Sequence, residues 1–339
     1  MNRFRQTVCL LLAAFTLSLS GTALADNEAE LALFSQAASA LQSPLQEALQ
    51  TGTLTLRTGE TAYVPSVSPE ITPYDELDTL TLPTVNGTFE SSDPSVITVD
   101  AQGRMTAVSA GTAIVTDHAA TGDVPFTVTV ADDAMPQSIR ALTYVARREY
   151  LDTHRARLPK YNKYAKWYYG KKKEVGWCSV FTIWCANASG NNPIDEQDAA
   201  SADPKGVVLF REGQVGNQYD GFSKLDRFVG VPRPGYLVIY ADLSNGYRTT
   251  HIGIVVDAAD QGNGLYRVTT VEGNMSNTVK SYCYLYDSNA DNHTVGVEKG
   301  KKLQSNMSSL PAEEQTDPLL QYELHTDHWA VFGFGATWQ

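Results

Sequence analysis

The sequence predicts a multidomain chain in which an all-β sandwich precedes an α+β domain built on an antiparallel sheet. Three observations carry this reading. The 339 residues exceed one ordinary domain. Residues 54–130 contain short alternating runs, VITVD, RMTAV, TAIVT and FTVTV, separated by turn residues, as in a β-sandwich. After residue 137 a helical pattern comes first, and a β-branched hairpin, THIGIVVD and LYRVTTVEGN, follows.

Taken in order, the chain opens with Arg3 and Arg5 ahead of the apolar run VCLLLAAFTLSLSG, and Ala23-Leu24-Ala25 precedes Asp26. Residues 1–25 therefore read as a secretory signal with a small-residue cleavage site. Cys9 stands before most of the apolar run, which argues against a lipid-anchored cleavage signal. No second apolar stretch approaches the ~20 residues of a membrane span, so no stable membrane insertion is expected after cleavage. Residues 26–51 form a short helical lead with Leu31, Phe34, Leu41, Leu45 and Leu49, interrupted near Pro44. Residues 52–131 are the sandwich and 131–136 a linker. The α+β domain, 137–339, begins with the helix QSIRALTYVARREYL.

The chain carries 26 Lys and Arg against 38 Asp and Glu, and loss of Arg3 and Arg5 with the signal makes it more acidic still. That excludes non-specific nucleic-acid binding by the whole protein. Residues 140–173 run the other way, with eleven basic residues against Glu149 and Asp152. The segment ends in KYNKYAKWYYGKKK, either a basic, Tyr-rich rim for an anionic polymer or peptide carboxylate, or a solvated helical face. His325 and His328 in HTDH have metal-like spacing, but no Cys or third strong ligand stands nearby. The segment is read as a loop, and no metal or organic cofactor is expected. The oligomeric state is not specified by the sequence.

The chemistry concentrates in EVGWCSVFTIWCAN. Gly176 breaks what precedes it, so Cys178 enters a helix at its first turn, where backbone N–H groups lack intrahelical partners. Those groups and the helix dipole lower a thiol pKa and can also bind an oxyanion. Cys178, Phe181, Cys185 and Ala188 share one helical face, so the thiol is expected to look inward. The partner is the hairpin. With its turn centred between Gln261 and Gly262, His251 falls opposite Glu272. Glu272 then holds one ring nitrogen while the other faces the thiol, the logic of a catalytic triad. Asn274 shares that face and is a second candidate for orienting the ring or contacting substrate, as is Trp177 beside the thiol.

Four segments resemble the cysteine, histidine-dependent amidohydrolase/peptidase (CHAP) family: Trp177 through Ala186, Pro234 through Val238, His251 through Val255, and Glu272 through Asn274. The resemblance covers roughly 137–339 and implies a papain-like fold that hydrolyses amide bonds in peptidoglycan. Cys178 would be the nucleophile, His251 the general base and then acid, and Glu272 the orienting carboxylate. Tyr236 stands where the family has Asp in its PGD turn, and Ser179 where Ala is common. The stretch 284–327, long and polar, is read as an insertion walling one side of the cleft. Separately, SSDPSVITVDAQGRMTAVSAGTAIVT resembles the bacterial immunoglobulin-like type 2 module, through Ser91 to Val96, Val99-Asp100, Gly103 and Ala110 to Ala113. It implies an immunoglobulin-like sandwich acting as a spacer or surface-binding module.

The expectation is a secreted, extracellular or wall-associated cysteine amidase or endopeptidase acting on peptidoglycan or wall peptides. The alternative is a non-catalytic, adhesin-like surface-binding protein whose papain-like domain only binds. Three cysteines remain after signal removal, so at least one is unpaired within the chain. Cys178 and Cys185 lie roughly 10 Å apart along a helix axis and cannot bridge. Cys185–Cys283 and Cys178–Cys283 both stay open, and the second would remove the nucleophile.

Overall fold

A computed structural model describes residues 21–67, 88–202, 206–244, 248–290, 305–325 and 328–339. The signal segment lies outside this set except for the backbone of its last residues, as do 68–87 of the sandwich and 291–304 of the insertion. Helix α1 (Gly21–Ala40) is followed by α2 (Pro44–Thr51). Ser43 starts α2 with a reciprocal cap: its hydroxyl accepts from Gln46 N–H, and the Gln46 side chain accepts from Ser43 N–H. Pro44 at the first helical position suits a fixed φ, and Gly52 at φ 65° ends the helix. Of the apolar stripe predicted for the lead, Phe34 is buried while Leu31 and Leu49 are exposed.

Seven short strands follow: β1 (Thr53–Leu56), β2 (Thr61–Tyr63), β3 (Thr88–Ser91), β4 (Ile97–Val99), β5 (Arg104–Ala107), β6 (Gly111–Ala119) and β7 (Gly122–Val130). They make two sheets, β1-β7-β6-β3 and β2-β5-β4, antiparallel except for the parallel β1–β7 pair. The period-two pattern turns Val115, Phe126 and Val128 of one sheet inward to meet Ile97 and Met105 of the other. Burial of each such side chain contributes about 1.5–3 kcal/mol.

The second core belongs to a larger unit with α3 (Gln137–Thr153), α4 (Lys163–Tyr169), α5 (Cys178–Ala188) and α6 (Val215–Lys224). Its strands are β8 (Phe228–Val229), β9 (Leu237–Asp242), β10 (Arg248–Gly262), β11 (Leu265–Met275), β12 (Thr278–Asp287), β13 (Met307–Ser308) and β14 (Trp329–Gly335). They form one antiparallel sheet in the order β13-β12-β11-β10-β9-β14-β8. The closing strand β14 thus inserts between β9 and β8. Helix α5 lies against β10 and β11. It is buried nearly all round, including Ser179, Val180, Thr182 and Ile183, rather than along the single stripe expected from Cys178, Phe181, Cys185 and Ala188.

The two cores are joined at the start of α3. Pro136 occupies the N-cap without a side-chain cap, and Glu60 supplies the acceptor instead, taking the Gln137 N–H at 2.8 Å. The Gln137 side chain donates to the Thr55 carbonyl at 2.6 Å. The helical lead packs on the larger unit: Phe34 meets the rings of Tyr150 and His154 edge-on, and the Arg155 guanidinium lies 5.5 Å from the Phe34 centroid.

Candidate active site

Cys178 is the first residue of α5. Trp177, at the N-cap, makes no side-chain cap, so the first-turn N–H groups have no side-chain partner there. Burial works against ionisation of Cys178. The hydrogen bond and charge of His251, aided by the backbone N–H groups of Ser179 and of Cys178 itself, outweigh it and hold the thiol below its ordinary pKa. All three cysteines of the described residues are free, so neither candidate disulfide forms. Cys185 is the opposite case: burial, then the Glu149 charge, pushes its thiol well above the ordinary value. One thiol is therefore activated and another made inert within the same helix.

His251 turns Nε2 to Glu272 Oε2 at 3.0 Å, which leaves Nδ1 for the thiol. Burial alone would lower the ring's pKa, but hydrogen bonds and charge from Cys178 and Glu272 push it up to about 10. The pair reaches this geometry by a register two residues away from the predicted one. The hairpin turns at Asn263-Gly264, both with positive φ, 53° and 79°, as the Asn-Gly preference for a type I′ turn dictates. Register shifts at Val255/Asp257 and Asp260/Gly262 then bring Ile254 opposite Val271. Continuing that pairing sets Glu272 opposite Gly253, not His251. A shift of two preserves the face, and the carboxylate reaches His251 diagonally. Gly253 makes room for it, since a Cβ there would lie 2.5 Å from Glu272 Cγ.

Glu272 has more partners than the sequence revealed. Oε1 accepts from the hydroxyls of Tyr240 and Thr270, each at 2.6 Å, and His325 Nε2 lies 3.1 Å from each carboxylate oxygen. Tyr240 also shares a hydrogen bond with Tyr284 at 2.9 Å. Burial would raise the Glu272 pKa, but the charge of His325, with hydrogen bonds from both imidazoles and the charge of His251, lowers it well below the carboxylate range. Trp329 stacks on the His251 ring at 5.3 Å and 25°. Tyr240 is the β9 residue paired with His251, and Thr270 is two positions from Glu272 on its strand. HTDH was the only signal for His325, and nothing local ties it to the sheet.

The other candidates fall elsewhere. Trp177 is fully buried, stacked on Tyr164 at 5.3 Å, so it packs the core and has no surface for substrate. Asn274 takes φ 64° and brings its amide beside Gly176, next to the start of α5, while the ring nitrogen predicted for an orienter goes to Glu272. Tyr236 is buried, and its N–H closes the 233–236 turn onto the Arg233 carbonyl at 3.1 Å. Ser179 donates to the Glu212 carbonyl at 2.5 Å. In the basic segment, Lys163 pairs with buried Glu149. Tyr169 lies close enough to Cys178 for the thiolate charge to raise its phenol, after burial, and Lys173 sits 4.2 Å above its ring. The 305–325 stretch runs along β12. Gln321 bridges Tyr282, and His325 reaches inward to Glu272.

The chain matches no protein-family model and no curated protein. Among the described residues, no group of three His, Cys, Asp or Glu side chains is arranged to hold a metal ion, and no helix is long and apolar enough to cross a membrane.

Proposed function

We propose that the protein is a secreted, extracellular or wall-associated cysteine amidase or endopeptidase that cuts amide bonds in peptidoglycan peptides. In this reading an immunoglobulin-like sandwich precedes a papain-like α+β domain. The supporting observation is the relay from Cys178 through His251 to Glu272, with the thiol on the first residue of a helix and its pKa held low. A helix start, an imidazole and a buried carboxylate are what a thiolate nucleophile needs.

The chemistry follows from the atoms. Cys178 Sγ attacks the scissile carbonyl carbon, and the oxyanion that forms lies at the start of α5, where backbone N–H groups donate to it. The His251 imidazolium gives its proton to the leaving amine as the C–N bond breaks. The neutral ring then takes a proton from water, the hydroxide adds to the thioester, and the acid is released with the thiolate and imidazolium restored. Glu272 stays ionised throughout, stabilising the imidazolium and fixing its tautomer.

The deciding experiment is digestion of purified peptidoglycan by wild type and Cys178→Ala, with mass spectrometry of the soluble fragments. Wild type releases new amine and carboxylate termini, and a folded Cys178→Ala releases none. Identical digests would end the hydrolase reading.

A further inference from the structure

We propose that His325 is a positioning residue of this site, holding the Glu272 carboxylate against His251 and so fixing the ring that serves Cys178. The proposal rests on the thiol-site reading above. The terminal torsion of a glutamate is soft and broadly two-fold, so one donor on one oxygen does not set the carboxylate plane. Tyr240 and Thr270 bind Oε1, His251 binds Oε2, and among the described residues only His325 spans both oxygens, at 3.1 Å from each. Nε2 carries the proton because it faces an anion. Nδ1 is buried with no hydrogen-bond partner among the described residues, so the carboxylate is the ring's one polar contact there.

The ring is itself held in place. Its side chain is 1% exposed. Tyr282 meets it edge-on at 4.0 Å, Tyr240 at 4.8 Å and Trp329 at 5.6 Å. The backbone leading to it is tied down: Gln321 exchanges hydrogen bonds with β12, accepting from Cys283 N–H and donating to the Ser281 carbonyl. Upstream, Arg155 and the Tyr150 hydroxyl both donate to the Leu319 carbonyl. Tyr150 and Arg155 are the residues on which Phe34 of α1 rests. Contacts thus run unbroken from the helical lead to the carboxylate.

The test follows the iodoacetamide reaction of Cys178 from pH 5 to 10 by intact mass in wild type, His325→Leu and His325→Gln, with Cys178→Ser marking the modified site. The titratable groups facing Glu272 are His251, His325, Tyr240, Tyr282, Tyr284 and Lys280, its partner across β11 and β12, with Cys178 and Tyr169 beyond the ring. Burial holds the four phenols above their ordinary range, so they stay neutral across most of it. Removing the His325 donor weakens the carboxylate's hold on the imidazolium. The rising limb for His325→Leu is expected to move up by about one pH unit, roughly a tenfold loss of rate on that limb. His325→Gln restores an N–H donor and recovers most of the loss, a rescue that a space-filling role alone would not give. Superimposed wild-type and His325→Leu profiles, a downward shift, or a Gln variant no better than Leu would overturn the positioning role alone. A wild-type Cys178 no faster than Cys185 and Cys283 would overturn both this inference and the thiol-site reading.

Discussion

Glu272→Gln is the sharpest perturbation of the relay, because it keeps the volume of a fully buried side chain and removes only its charge. The His251 ring is lifted from 6.5 to about 10, with Cys178 acting more strongly than Glu272. The carboxylate lies 3.0 Å from the ring, and an opposite charge that close shifts a pKa by roughly one to three units, so neutralising it should lower the ring's proton affinity about tenfold or more, at about 1.4 kcal/mol per tenfold. The amide adds a second fault. The Tyr240 and Thr270 hydroxyls and two imidazoles converge on the carboxylate, and an NH2 group there faces donors with a donor. Under the proposed function, peptidoglycan turnover should therefore fall by about a hundredfold or more, in line with removal of an orienting carboxylate from a triad. NMR titration of the His251 ring should show its pKa down by more than one unit, with iodoacetamide labelling of Cys178 slowed at neutral pH. An unchanged ring titration in a folded variant would refute the claim that Glu272 sustains the imidazolium.

Turnover should also be bell-shaped in pH, rising below the ordinary thiol range because Cys178 is lowered and falling as pH passes about 10, where His251 loses its proton. Thermal melts should follow the same groups. The raised His251 contributes stability fully below 6.5 and loses it as pH climbs toward about 10. The depressed Glu272 contributes above its ordinary carboxylate value and loses it on acidification. A melting temperature flat from pH 3 to 11 would contradict both. Gly253→Ala places a methyl 2.5 Å from Glu272 Cγ. It should cost about 1–3 kcal/mol in urea unfolding, the usual range for overpacking, and slow Cys178 labelling in the surviving fold. Normal labelling would mean that Glu272 has another route to His251.

The parts of this site that local rules govern were legible in the sequence. Gly176 followed by an aromatic and a cysteine announces a helix start, and strand parity with an assumed turn centre assigned His251 and Glu272 to one face. The absolute register was not readable, because two bulges shift it and the hairpin turns at Asn263-Gly264 rather than between Gln261 and Gly262. The error of two residues spared the face, whereas an error of one would have hidden the carboxylate. Tyr240 and His325 were out of reach for a different reason. Which β9 residue pairs with His251 depends on strand order, and His325 arrives only because the 305–325 stretch docks along β12. The same applies to the lead, where helical spacing gave five apolar candidates and tertiary packing buried only Phe34 completely.

Glu60 gives the architecture a property that its modular appearance conceals. The acceptor that begins α3 is borrowed from the preceding sheet pair, so the α+β unit is not a cassette that could be spliced behind an unrelated neighbour unaltered. A new upstream partner would have to present its own carboxylate to Gln137, or the helix that carries Phe34's ring contacts would fray from its first turn.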